Sequence, residues 1–149
     1  MSKHDDLQSK LEQSLYGFSK AKEEDWYINT EEYIVPLTTA GHRFIDVIAC
    51  SNKVDHNGYA FEIKTLSSQG YLLFWQLRDY LITGHRPILI APDSFLDKTL
   101  PNSPQVPISW IVKVLDTSVV TVIQTNPLKL RLVEDRLPVD DELRAFFEQ

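Results

Sequence analysis

Two apolar runs constrain this chain more than anything else in it: residues 43–49, Arg-Phe-Ile-Asp-Val-Ile-Ala, and residues 59–65, Tyr-Ala-Phe-Glu-Ile-Lys-Thr. Both have the β-branched and aromatic composition of strands. Between them they carry Asp46, Glu62 and Lys64 into apolar surroundings, where an unpaired charge is costly. Side chains alternate along a strand, so Glu62 and Lys64 share a face while Ile63 points the other way. Asp46 stands between the same-face neighbours Phe44 and Ile48, both apolar. Its carboxylate therefore needs a partner or a metal ion.

The rest of the chain arranges itself around these runs. Leu7, Leu11, Leu15 and Phe18 recur at helical spacing and predict an amphipathic helix over residues 4–19, closed near Gly17, with Glu12 on the flank of the apolar stripe. Residues 31–37, 43–50 and 59–65 predict three antiparallel strands joined by turns at 38–42 and 51–58. Ser67 and Ser68 are caps for a helix over 69–83 that ends at Gly84, with Leu73, Leu77, Tyr80 and Leu81 on its core face and Gln76 and Tyr80 one turn apart. Tyr71, Trp75 and Ile82 form a second apolar edge of that helix.

The uniformly apolar residues 88–91 then predict a central strand, parallel to the third across the helix. Residues 92–107, with four prolines, predict a long loop. Residues 108–115 and 119–124 predict a hairpin that extends the sheet, and a last short helix after Pro138 buries Leu143, Phe146 and Phe147. The expected architecture is one α/β domain over residues 1–149, with a mixed sheet flanked by helices, an αβββαβ core over about 5–91 and an extension over 92–149 carrying a hairpin and short helix.

Composition narrows the chemistry. With Cys50 alone there is neither an internal disulfide nor a cysteine zinc cluster, and His4, His42, His56 and His85 lack zinc-ligand spacing. No apolar run reaches the ~20 residues of a membrane span and the N-terminus has no signal-peptide core, which predicts a cytoplasmic protein with no membrane partner. The net charge of −6 runs against a nucleic-acid partner, yet it is carried by the ends: residues 36–133 hold nine bases and seven acids, two of them Asp46 and Glu62. Arg43, Lys53, Arg78, His85 and Arg86 are the candidates for phosphate contacts.

Two carboxylates from neighbouring strands, with a backbone carbonyl between, make a hard oxygen site suited to Mg²⁺ or Mn²⁺. A lysine two residues beyond the glutamate projects beside such a metal, where it can orient a water and offset charge on a phosphate. Asp46, then Glu62-Ile63-Lys64 sixteen positions later on the next strand, followed by a helix and an apolar strand, resembles the PD-(D/E)xK nuclease superfamily with its restriction-endonuclease-like core. The helix is similar to the RecB-type branch, since Gln76-Leu77-Arg78-Asp79-Tyr80 matches its Q-x-x-x-Y signature.

The resemblance covers roughly residues 5–91. It implies a metal-dependent deoxyribonuclease acting in repair, recombination, restriction or mobile-element replication, with Asp46, Glu62 and the Ile63 carbonyl as metal ligands. Lys64 would position the attacking water, leaving a 5′-phosphate and a 3′-hydroxyl, and Gln76 and Tyr80 would orient the site or hold the substrate backbone. Glu12 would supply an additional acid from the first helix, in competition with Glu31 and Glu32. DNA is the implied partner, with a homodimer or a protein partner open. The sequence departs from the pattern in having Ile45 where a proline usually precedes the Asp, and it lacks the cysteines of the iron–sulfur members. The competing expectation is a non-catalytic binding or regulatory protein on the same fold, its acidic surface meeting a protein.

Overall fold

The computed structural model describes residues 2–36, 43–51, 57–65, 72–101, 103–136 and 141–148. An N-terminal helix α1 (Lys3–Ala21) is followed by strands β1 (Tyr27–Ile34), β2 (Arg43–Cys50) and β3 (Tyr59–Ile63), helix α2 (Leu73–Ile82) and strand β4 (Arg86–Ile90). A 3₁₀ helix (Asp93–Asp97) and the small strands β5 (Thr99–Leu100) and β6 (Ser103–Pro107) lead to helix α3 (Ile108–Val114). Strands β7 (Ser118–Thr125) and β8 (Leu128–Glu134) and helix α4 (Asp141–Phe147) complete the chain. The predicted turn at 38–42, most of the turn at 51–58 and the serine cap at 67–68 lie outside the described residues, as do Tyr71 and the approach to α4.

One six-stranded sheet, ordered β1-β2-β3-β4-β7-β8, runs through the molecule. β1 to β3 form the antiparallel meander, β4 joins β3 in parallel and β7 joins β4 in parallel, so the sheet is mixed. α1 and α4 cover one face, with Leu7, Leu11, Leu15, Leu143, Phe146 and Phe147 against Val47, Phe61, Ile63 and Ile90. α2 and α3 cover the other, with Leu73, Leu77, Tyr80, Ile111 and Val112 against Ile45, Ala60, Leu89 and Val119. Central β3 is buried along its whole length. Among the described residues no helix is long and apolar enough to cross a membrane.

Three expectations are corrected. α1 runs through Gly17 to Ala21, because that glycine lies on the exposed side and the helix closes on backbone bonds to Lys22 and Glu23. Residues 92–107 contain the 3₁₀ helix and the β5–β6 hairpin rather than an unstructured loop. Residues 108–114 form a helix, not a strand: Ile108, Ile111, Val112 and Leu115 are buried at helical spacing while Trp110 and Val114 stay exposed. The β-branched content of this run masked that periodicity. The C-terminal hairpin instead pairs β7 with β8, whose Leu128, Leu130 and Leu132 alternate inward, and β7 enters by a second helix crossover.

The chain enters β3 through Gly58, whose φ is +105°. A Cβ there would lie 2.8 Å from Cys50 Cβ and 2.9 Å from the Ala49 carbonyl oxygen. Gly58→Ala should therefore cost about 1–3 kcal/mol of stability. Urea unfolding checks this as a lower midpoint at unchanged slope.

Candidate functional site

Asp46 and Glu62 meet where the sheet splits. β2 pairs with β3 only from Val47 to Ala49, opposite Phe61 to Tyr59. Beyond that point the strands part, and the Ile63 amide that would continue the ladder donates instead to Asp46 Oδ2, 2.8 Å away. The alternation of β2 slips here as well, since Ile45 and Ile48 fall in the same core cluster although three positions apart. The expectation that Phe44 shares an apolar face around Asp46 is thus corrected: its ring is 51% exposed and packs edge-on against Tyr33.

Glu62 lies deep in this fork, 3% exposed. The Tyr80 hydroxyl of α2 donates to Glu62 Oε1, and the Lys64 ammonium stands 3.3 Å from Oε2. The predicted common face of Glu62 and Lys64 is therefore observed. Lys64 is held by its backbone as well, its amide donating to the Ile90 carbonyl of β4 at 2.9 Å. Tyr80 also reaches the Phe44 carbonyl at 3.4 Å, tying α2 to β2 across the gap.

From the opposite face, α1 supplies two residues the sequence reading missed. His4 Nε2 lies 3.3 Å from Asp46 Oδ2, and Gln8 Nε2 donates to the Asp46 carbonyl at 2.8 Å. Both sit on the stripe flank that drew attention to Glu12, one and two turns nearer the helix start. The signal was this line of polar residues at four-residue spacing.

Other nominated residues fall elsewhere. Among the described residues no three His, Cys, Asp or Glu side chains converge into a metal cluster, so neither Glu12 nor Glu31 nor Glu32 joins the pair. Glu32 instead accepts from Tyr27 and Asn29 at 2.7 Å each. Gln76 makes no hydrogen bond to Asp46, Glu62 or Lys64, and its Oε1 is enclosed without a partner among the described residues. Arg43 and Arg78, expected at phosphates, both pair with fully buried Asp79, at 2.5 and 3.1 Å, and Arg78 also stacks on Trp75. Arg86 opens β4 opposite Tyr59, at the end of the sheet away from Glu62. His85 is held by Thr83 in the turn before β4, and Lys53 lies outside the described residues.

The electrostatics follow from two carboxyls crowded in a dry site. Burial, then the Asp46 charge, push the Glu62 acid up to about 8, against the partial relief of Lys64. Burial alone would raise Asp46 too, but hydrogen bonds from His4, Glu62 and the Ile63 amide outweigh it and bring its acid below the usual range. The His4 imidazole is raised by its hydrogen bond to Asp46, and burial together with Glu62 lifts the Tyr80 phenol well above 10. At neutral pH the pair therefore carries one charge, with a proton kept on Glu62.

This sets a pH dependence for the metal-free chain. The folded state keeps a Glu62 proton that the unfolded chain releases above its ordinary 4.5, so stability falls as pH rises from there towards about 8. His4 acts in the same sense: its contribution is complete below 6.5 and is lost as pH passes its raised folded value. Asp46 contributes stability that is present above 3.8 and lost only as pH falls below it. Urea unfolding between pH 5 and 8 should show stability declining with pH, and Glu62→Gln should flatten most of that slope. A rise with pH would contradict the assignment.

No protein-family model matches the chain, and no curated protein is significantly similar to it. The resemblance carried by Asp46, Glu62-Ile63-Lys64 and Gln76/Tyr80 thus stands on these residues alone.

Proposed function

We propose that the chain is a metal-dependent nuclease that hydrolyses DNA phosphodiester bonds through a PD-(D/E)xK-type site on a restriction-endonuclease-like sheet. The observation that carries this reading is the fork between β2 and β3, where Asp46 and Glu62 lie together with the Lys64 ammonium on Glu62. The α-β-β-β-α-β order through residue 90 supports it.

The donor set fits a hard divalent cation. Two crowded carboxyls that hold back a proton are a site whose excess charge Mg²⁺ or Mn²⁺ would relieve, and both offer oxygen. Asp46 and Glu62 would hold the ion, with the Ile63 carbonyl as a third protein oxygen. When bound, the ion supplies a Lewis acid for the phosphoryl oxygen and a lowered acidity for water. Lys64 orients the attacking water and offsets the charge that grows on the phosphate. Tyr80 fixes the rotamer of Glu62, while Gln8 and His4 fix the backbone and carboxylate of Asp46.

Calorimetry with Mn²⁺ tests the reading. Binding should be seen in the native chain, should strengthen from pH 6 to 8 as Glu62 gives up its proton, and should be lost in Asp46→Asn. Absence of binding at pH 8 would overturn it. A binding or regulatory role on the same fold is the second reading, favoured by the capture of Arg43 and Arg78 by Asp79, which removes two of the expected phosphate contacts.

A further inference from the structure

A groove of about 470 Å³ includes Lys64 in its lining. It lies outside the carboxyl ends of the parallel strands β3, β4 and β7, where sheets of this kind leave room for ligands. Its floor and walls come from Leu7 at the start of α1, from Thr65 after β3, and from Thr121, Val122 and Thr125 of β7. Lys3 stands with Lys64 as a second cation, and Asp6, the one acid lining the groove among the described residues, is paired with Lys10 at 3.1 Å.

We infer that this groove receives one unpaired nucleotide of the substrate strand, next to the phosphate that is cut, so that the substrate is single-stranded at the point of cleavage. The inference rests on the nuclease reading for the role of Lys64. The volume falls in the roughly 300–1,000 Å³ range of small-ligand sites, a size for one nucleotide and not for a base pair in its stack. The lining has the matching chemistry: Leu7 and Val122 offer apolar surface to a base, the threonine hydroxyls can meet its polar edge, and Lys3 and Lys64 meet phosphate. In a duplex the base faces are covered by their neighbours, and entry costs the unstacking and unpairing of the nucleotide, which a single strand does not pay. Charge argues the same way, since a chain of net charge −6 whose Arg43 and Arg78 are paired with Asp79 has little to clamp two phosphate backbones.

The test uses fluorescence anisotropy with a labelled single-stranded DNA 12-mer and its duplex, in Ca²⁺, with Mg²⁺-dependent cleavage of both measured in parallel. Thr125→Trp, at an exposed position on the groove wall, fills the space at little risk to folding, and Val122→Trp is the second filling variant. The expected result is at least tenfold tighter binding of the single strand, and a loss of about tenfold or more in both variants. An oligonucleotide carrying 5-iodouracil should crosslink to the peptide 118–125. Equal affinity for the duplex, undisturbed binding in both variants, or no binding of either DNA overturns the groove assignment. If cleavage persists in that case, the nuclease reading survives it. Groove-dependent binding by a native chain that cuts neither DNA supports the groove and overturns the nuclease reading.

Discussion

Under the proposed nuclease function, Glu62→Gln should lower Mg²⁺-dependent DNA cleavage by about 10³-fold or more, because it would remove an anionic oxygen from the metal and leave the phosphate charge uncompensated. Lys64→Ala should lower it by about 10²–10⁴-fold, the range for a positioned proton-transfer or water-orienting group. The two differ in what they do to the fold. The metal-free chain already holds Glu62 as the neutral acid at pH 7. Glutamine has the same shape, can still accept from Tyr80, and can offer its amide hydrogen where the acid offers a proton to Asp46. Far-UV circular dichroism of Glu62→Gln should therefore match the parent, and its urea midpoint should lie above the parent's at pH 7 and converge with it towards pH 5, since the glutamine has no proton for the unfolded chain to release. Full cleavage by both variants would remove the catalytic assignment.

Asp79→Ala should be strongly destabilising, by about 2–4 kcal/mol. Its carboxylate is fully buried and takes Arg43 through Oδ2 and Arg78 through Oδ1, joining α2 to the start of β2. Removing one member of a buried ion network costs about 3–5 kcal/mol when the remaining charges stay buried. Here the arginine side chains are 19% and 28% exposed and can regain part of their hydration, which lowers the figure. Denaturant unfolding of Asp79→Ala and of Asp79→Asn measures it. Because Tyr80 is the next residue, Asp79→Ala should also loosen the grip on Glu62 and reduce cleavage more than its distance from the carboxylates suggests.

The sequence showed some of this and hid the rest for physical reasons. Strand β2 was legible at 43–50, and Glu62 with Lys64 on one face followed from the period of a strand. The parallel step to β4 followed from an apolar run after a helix. Residues 108–114 were misassigned because an apolar run of β-branched residues supports either period, and only the burial of every third or fourth side chain separates them. Arg43 passed as a surface cation because Asp79 lies 36 positions away, a distance at which no local pattern reports a contact, and Arg78 passed because neighbouring helix residues do not ordinarily face each other. His4 and Gln8 were missed for a related reason: α1 meets β2 only across the sheet, and spacing on one helix does not say which turn lies over Asp46.

The bond from the Ile63 amide to Asp46 Oδ2 makes that aspartate a joint of the frame as well as a member of the site. A carboxylate here does the work of a missing strand carbonyl, so the sheet and the chemistry share one side chain and are exposed to the same mutation. Asp46→Ala would therefore undo a splice between β2 and β3 together with a proposed metal ligand, and an inactive Asp46→Ala protein would say little about either. Asp46→Asn keeps an oxygen for the amide while giving up the charge. The contrast between those two variants separates carpentry from catalysis at this residue.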